Sequence, residues 1–142
     1  MKVYMDYSAT TPVKKEVLDA MIPYFTEQYG NPSSIYQMGQ ASKKAIDGAR
    51  DAIAKTLNAR QDEVYFTGGG SESDNWAIKG AAYALQDKGR HLITTVIEHH
   101  AVLHTCEYLE KQGFEVTYLP VDGEGLIRLE DLKKAIRDDT IL

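Results

Sequence analysis

The 142-residue sequence predicts an α/β fold built on a mostly parallel sheet with flanking helices. Short runs that read as strands, at 63–67, 91–97 and 114–119, alternate with longer amphipathic segments. Strand–helix–strand alternation of this kind implies right-handed crossovers and parallel pairing. Glycine closes the helical segments, at Gly89 and Gly113, where a left-handed C-cap is easiest to form.

The elements follow in order. Val3–Met5 is a short apolar start. Thr11 is placed to cap a helix whose first position would be Pro12. Val13, Val17, Met21 and Phe25 recur every four residues and mark one face of that helix, which Pro23 should kink or end early. YGNPSS reads as a loop. From about Gln37, the residues Ala41, Ala45, Ile46, Ala49, Ile53 and Leu57 form a second amphipathic helix. Glu63–Thr67 is a short strand, and a helix over Ser73–Leu85 follows it. His91–Ile97 is rich in β-branched residues and reads as a strong strand. Val102, Leu103, Cys106 and Leu109 make the face of the next helix. Phe114–Leu119 alternates as a strand, PVDGEG turns the chain, and Leu129–Ile136 is a short helix. Thr140–Leu142 has the look of the first half of a buried strand. The chain is therefore expected to be a piece of something longer, or one half of a split protein.

Composition narrows the function classes. The chain is 43% hydrophobic and 26% charged, with a net charge of −5. No basic excess is available for counterion release, which argues against non-specific nucleic-acid binding. No apolar run is long enough to span a bilayer, and Met1–Asp6 lacks the apolar stretch of a secretory signal. The single cysteine, Cys106, allows no internal disulfide and points to a reducing, cytoplasmic setting.

The chemistry concentrates in two stretches. In TGGGSESDNW, Thr67–Trp76, three glycines end a strand-like run and open a helix. The first amides of a helix have no internal partner, and the dipole adds partial positive charge there. Glycines let that backbone approach a phosphate, and the Ser71 hydroxyl can donate to the same oxygens. The spacing is neither a Walker loop, because Ser71-Glu72 follows Gly70, nor a dinucleotide fingerprint, because Ser73 stands where a third glycine is needed. A tight left-handed turn capped by Ser71, with Asp74 as its box partner, accounts for the same residues without a ligand.

The second stretch is VIEHHAVLHTC. His99 follows a strand, as the glycine loop does, and ligands of open α/β sheets gather at the carboxyl ends of strands. The two can face one site, where a flat imidazole would stack on an aromatic ligand or move a proton. His100 and His104 are i, i+4 neighbours but have no third ligand at a recognisable spacing, so no metal site is assigned. Cys106 lies on the apolar stripe of its helix and reads as a small buried hydrophobe rather than a nucleophile.

VYMDYSATTPV, YGNPSS, VYFTGGGSESDNWAIKG, IEHHAVLHTCEYLEKQGFEVTYLPVD and IRDDTIL together resemble the first third of the cysteine desulfurase family of the NifS/IscS type. The resemblance implies the fold type I, aspartate-aminotransferase-like architecture of pyridoxal-phosphate enzymes. Residues 1–12 would then belong with the small domain, and 13–142 would be the first part of the large cofactor-binding domain. It implies pyridoxal 5′-phosphate as cofactor, with Gly70 and Ser71 at its phosphate and His99 stacked on its ring as a proton-shuttling group. Gly68 and Ser71 depart from the family's usual Ser and Thr, and Tyr36 stands where a His is common. The family's cofactor lysine, its aspartate at the ring nitrogen and its persulfide cysteine match nothing in these residues, so the chain alone is expected to be inactive. The family takes L-cysteine to L-alanine and passes sulfur to an acceptor or scaffold protein, including for iron–sulfur cluster assembly, usually as a homodimer. A second polypeptide could supply the rest of the site. Selenocysteine lyase and cysteine sulfinate desulfinase share these motifs. Outside the family, a non-catalytic α/β module that binds a phosphate-bearing ligand or a partner protein remains open.

Overall fold

A computed structural model describes residues 1–142, which divide into two compact units, 1–65 and 66–142.

The first unit is helical. Helix α1 runs over Lys15–Thr26 and α2 over Gln37–Thr56, followed by a 3-10 turn at Gln61–Glu63. Helix α1 begins three residues later than the Thr11–Pro12 signal predicts: Lys14 is its N-cap and offers no side-chain cap. Pro23 sits inside α1 and does not end it, because its own carbonyl still accepts from the Glu27 and Gln28 amides. Helix α2 has the predicted extent. The 3-10 turn is tied down where the Glu63 carboxylate accepts from the Arg60 amide at 2.7 Å.

The second unit carries the sheet. It comprises α3 (Gly70–Leu85), β1 (His91–Thr95), α4 (His100–Lys111), β2 (Glu115–Leu119) and α5 (Leu129–Ala135). Strands β1 and β2 pair in parallel, with His91 opposite Glu115 and Thr95 opposite Leu119. Helix α4 is the crossover between them. On the other side of β1, His91 bridges Thr140 in parallel, and the Ile93 amide donates to the Leu142 carbonyl at 2.9 Å. Residues 140–142 thus run beside β1 as their apolar composition predicts. The strand expected at 63–67 does not form: Val64 is extended, but the sheet consists of β1 and β2.

The core is small. Ala82 of α3, Leu92 of β1, Leu109 of α4 and Phe114 are buried together, with Ile78, Val116 and Ile141 packed around them. Gly113, at φ +85°, ends α4 in the left-handed region, and the Phe114 amide reaches back to the Leu109 carbonyl. Gly89 is required for a different reason: a Cβ there would collide with the backbone of Asp139. Cys106, on α4, is 2% exposed, and burial pushes its thiol pKa up, with Glu110, Glu98 and Glu107 adding to the effect. It is packing, as its place on the stripe predicts.

Candidate functional site

The glycine loop is built differently from a capped turn. Helix α3 starts at Gly70 rather than Ser73, with Gly69 as N-cap in extended backbone (φ 166°). None of Gly68, Gly69 and Gly70 is in the left-handed region, so the left-handed-turn account of this loop fails. Ser71 is the second helical residue, not the cap, and Asp74 plays no part in a box. The acidic residue that closes the turn is Glu72, whose carboxylate accepts from the Gly68 amide at 2.5 Å.

Hydroxyls hold the loop in shape. Thr67 Oγ1 and Ser73 Oγ lie 2.6 Å apart and 3.2 and 3.3 Å from the Gly69 carbonyl oxygen, so one hydroxyl donates to the other and the second donates to that carbonyl. The Ser73 amide donates to the same oxygen at 3.1 Å. That leaves the first amides of α3 pointing out of the helix end, the arrangement that binds anions. A Cβ placed on Gly69 or Gly70 would meet nothing within 4 Å, so open space lies against the backbone at both positions.

His99 is the N-cap of α4. Its Nδ1 accepts from the Ala101 amide at 3.1 Å, while its carbonyl accepts from the Val102 and Leu103 amides. At the end of β1, Thr95 Oγ1 donates to Glu98 at 3.1 Å. The ring of His99 lies 6.1 Å from that of His100, and the His100 and His104 rings stack at 5.1 Å. No group of three or more His, Cys, Asp or Glu side chains comes together in a way that could hold a metal.

Ser71, Asn75, His99 and His104 line one cleft of about 330 Å³. The structure therefore brings the two predicted stretches together: Ser71 from the start of α3 and His99 from the start of α4. Gly70 stands one residue before Ser71 at the same helix end. Asn75 was not singled out in the sequence; its Nδ2 donates to the Ser71 carbonyl at 2.9 Å and steadies the first turn of α3. A larger cleft of about 570 Å³ is lined mostly by aliphatic residues such as Ile93, Leu119, Ile127 and Leu132. Thr94, Thr95, Glu98 and Thr140 also line it, with the Thr95 hydroxyl donating to Glu98 and the Thr140 hydroxyl 2.7 Å from His91 Nδ1.

Residues 3–142 match the aminotransferase class-V family. The chain belongs to that family. It is 66% identical over 140 residues to the cysteine desulfurase IscS of Methanosarcina thermophila, covering 99% of this chain and 35% of that protein. It is 62% identical to the IscS of Clostridium botulinum, with 99% and 36% covered. Among solved structures, a NifS-like protein superposes with a TM-score of 0.94 at 44% identity, over 99% of this chain and 38% of the other. A structure titled SspA in complex with cysteine gives 0.89 at 46% identity, over 96% and 40%. The chain thus spans a little over a third of the relatives it matches.

Aminotransferase class-V proteins and their cysteine desulfurase members are pyridoxal-phosphate enzymes. The residues present fit that group: an anion-binding helix end with open space over two glycines, a hydroxyl at Ser71, and a flat ring at His99 in the same cleft.

Sequence reasoning missed His91. It is 1% exposed, with Nδ1 2.7 Å from Thr140 Oγ1 and Nε2 2.8 Å from Thr117 Oγ1. Burial pushes its pKa down, and the nearby Arg137 guanidinium adds to that, against weaker opposing effects of Asp139 and Glu115. It joins β1 to β2 and to residue 140, and it lies at the opposite end of β1 from His99. The only sequence signal is a polar residue opening a strongly apolar strand.

Proposed function

We propose that this chain is the phosphate- and ring-holding portion of a pyridoxal-phosphate-dependent cysteine desulfurase. The observation that carries the reading is the shared cleft: Ser71 at the α3 N-terminus and His99 at the α4 N-cap line one wall together. The amides at Gly70 and Ser71 and the Ser71 hydroxyl would hold the cofactor phosphate, and His99 would lie against its ring. When bound, the cofactor supplies an electron sink for the bonds around the substrate α-carbon. The chain's own share is binding, orientation and exclusion of water at that face.

L-cysteine as substrate is supported by the desulfurase relatives and by the SspA structure titled as a cysteine complex. A sulfur-acceptor or scaffold protein, a role in iron–sulfur cluster assembly, a homodimeric assembly and a cytoplasmic location complete the proposal. So do the assignment of residues 1–12 to the small domain and a second polypeptide that carries the rest of the site. No helix is long and apolar enough to cross a membrane.

Cofactor titration with Ser71→Ala, followed by borohydride reduction and denaturing mass spectrometry, tests the proposal. The protein is purified with any polypeptide that accompanies it. Saturable binding of pyridoxal phosphate, weakened by Ser71→Ala and competed by inorganic phosphate, is expected. Conversion of L-cysteine to alanine should appear only where a reduced cofactor–lysine adduct is also found. Equal affinity in the wild type and Ser71→Ala would remove the loop from the cofactor site and leave a non-catalytic module as the better reading.

A further inference from the structure

His99 has one ring nitrogen committed. Its Nδ1 lies 3.1 Å from the Ala101 amide nitrogen, and a backbone N–H can only donate, so Nδ1 presents its lone pair. Its Nε2 makes no hydrogen bond within the chain. In a neutral imidazole one nitrogen is the donor and the other the acceptor, and the bond made by one fixes the other. We infer that the first turn of α4 holds His99 as its neutral Nε2–H tautomer, a hydrogen-bond donor in the cleft, and that any proton taken up must enter at Nδ1 and release the Ala101 amide.

The argument is one of occupied lone pairs. With the proton on Nε2, the only basic site of the ring is Nδ1. A proton placed there would face the Ala101 N–H, donor against donor, and the cap would open. The amide would lose its partner at the helix end. His99 in this conformation is therefore a positioned donor rather than a free base, an arrangement known for neutral imidazoles at helix N-termini in other enzymes. The ionisable groups around it are Glu98, which holds Thr95, and His100 and His104, stacked on each other beside it. Ser71 and Asn75, from α3, carry no charge. The inference about the tautomer stands on the α4 cap alone; its consequence for catalysis rests on the desulfurase reading.

The test is nuclear magnetic resonance of the full chain without cofactor, so its outcome is independent of whether the cofactor binds. Long-range ¹H–¹⁵N correlation of the imidazole should show the Nε2–H tautomer. Free histidine also favours that form, so the decisive reading is the Ala101 amide. Its proton shift should move with the same midpoint as the His99 ring. His99→Asn supplies an oxygen in place of Nδ1 and should keep the Ala101 amide shift near its wild-type position at all pH values, whereas His99→Ala should speed that amide's hydrogen exchange by about fivefold. An Nδ1–H tautomer, or an Ala101 amide that ignores the titration of His99, would overturn the inference.

Discussion

The two halves of the chain keep their order by different means. In residues 66–142, Leu92 of β1, Leu109 of α4 and Phe114, just before β2, are at most 4% exposed. In residues 1–65, the stripe of α1 remains in solvent: Val17 is 50% and Phe25 71% exposed, and no residue of α1 is buried. The same kind of apolar period marks both α1 and α4, yet only α4 is packed. Periodicity therefore reports which face a helix offers, not whether anything takes it. The candidate site is built where the packing is, on two helix ends whose positions are set by a shared core.

Breaking that core gives the largest effect expected. Leu109→Ala removes a side chain with 0% exposure from the contact of α4 with β1 and α3. It should cost about 2–5 kcal/mol, measured by urea denaturation followed through the aromatic signal of the 66–142 unit. Loss of packing should also weaken pyridoxal phosphate binding, because Ser71 and His99 are held together only through α3 and α4.

The next effect sharpens the contrast at the opposite end of the sheet. Thr117→Val leaves His91 Nε2 without its partner and should cost about 1–3 kcal/mol. The pH dependence follows from the direction of the His91 shift. Its folded pKa lies below the ordinary 6.5, so between the two midpoints the unfolded chain binds more protons. Stability is whole above 6.5 and is lost as pH falls from there toward the folded value. Denaturation midpoints at pH 8 and pH 5 should differ more in the wild type than in His91→Phe. Equal differences would place the acid sensitivity elsewhere.

What could be read from sequence follows the same division between local and long-range causes. The α3 and α4 elements, the β1 and β2 strands and the facing of Ser71 and His99 all rest on short-range pattern plus the parallel-crossover rule. The capping of α4 by the His99 ring is also local, but its period and composition carry no sign of it. The role of His91 was not legible, because its partners stand 26 and 49 residues away and meet only through the sheet register. The strand predicted at Glu63–Thr67 failed for a related reason: an extended, apolar run becomes a strand only when another backbone lies beside it. In the glycine loop, the pattern pointed to a helix start but not to which residue would close it. Glu72 rather than Asp74 does so, because the helix begins at Gly70.

A middle-sized effect belongs to the site. Ser71→Ala removes one hydroxyl from the proposed phosphate contact while leaving the amides of α3 in place. Hydrogen bonds to charged groups are worth about 1.5–3 kcal/mol, so affinity for pyridoxal phosphate should fall by about tenfold to a hundredfold, read by fluorescence titration. The urea midpoint should barely move, since Ser71 is exposed and its side chain holds no other element.

The smallest effect is the one that probes residues 1–65 directly. Phe25→Ser changes a large apolar side chain that is mostly in solvent, and exposed sites away from special features shift stability by no more than about 0.5 kcal/mol. A null result in urea denaturation, beside a large one for Leu109→Ala, would establish that the α1 stripe contributes nothing to the stability of this chain by itself. The same substitution measured with an accompanying polypeptide gives the sharper reading. If the cost then rises to the 3–5 kcal/mol typical of a buried phenylalanine, the stripe is an interface that the second polypeptide covers. If it stays small, the apolar period of α1 serves neither folding nor association. The difference between the two halves would then be one of kind rather than of missing partners.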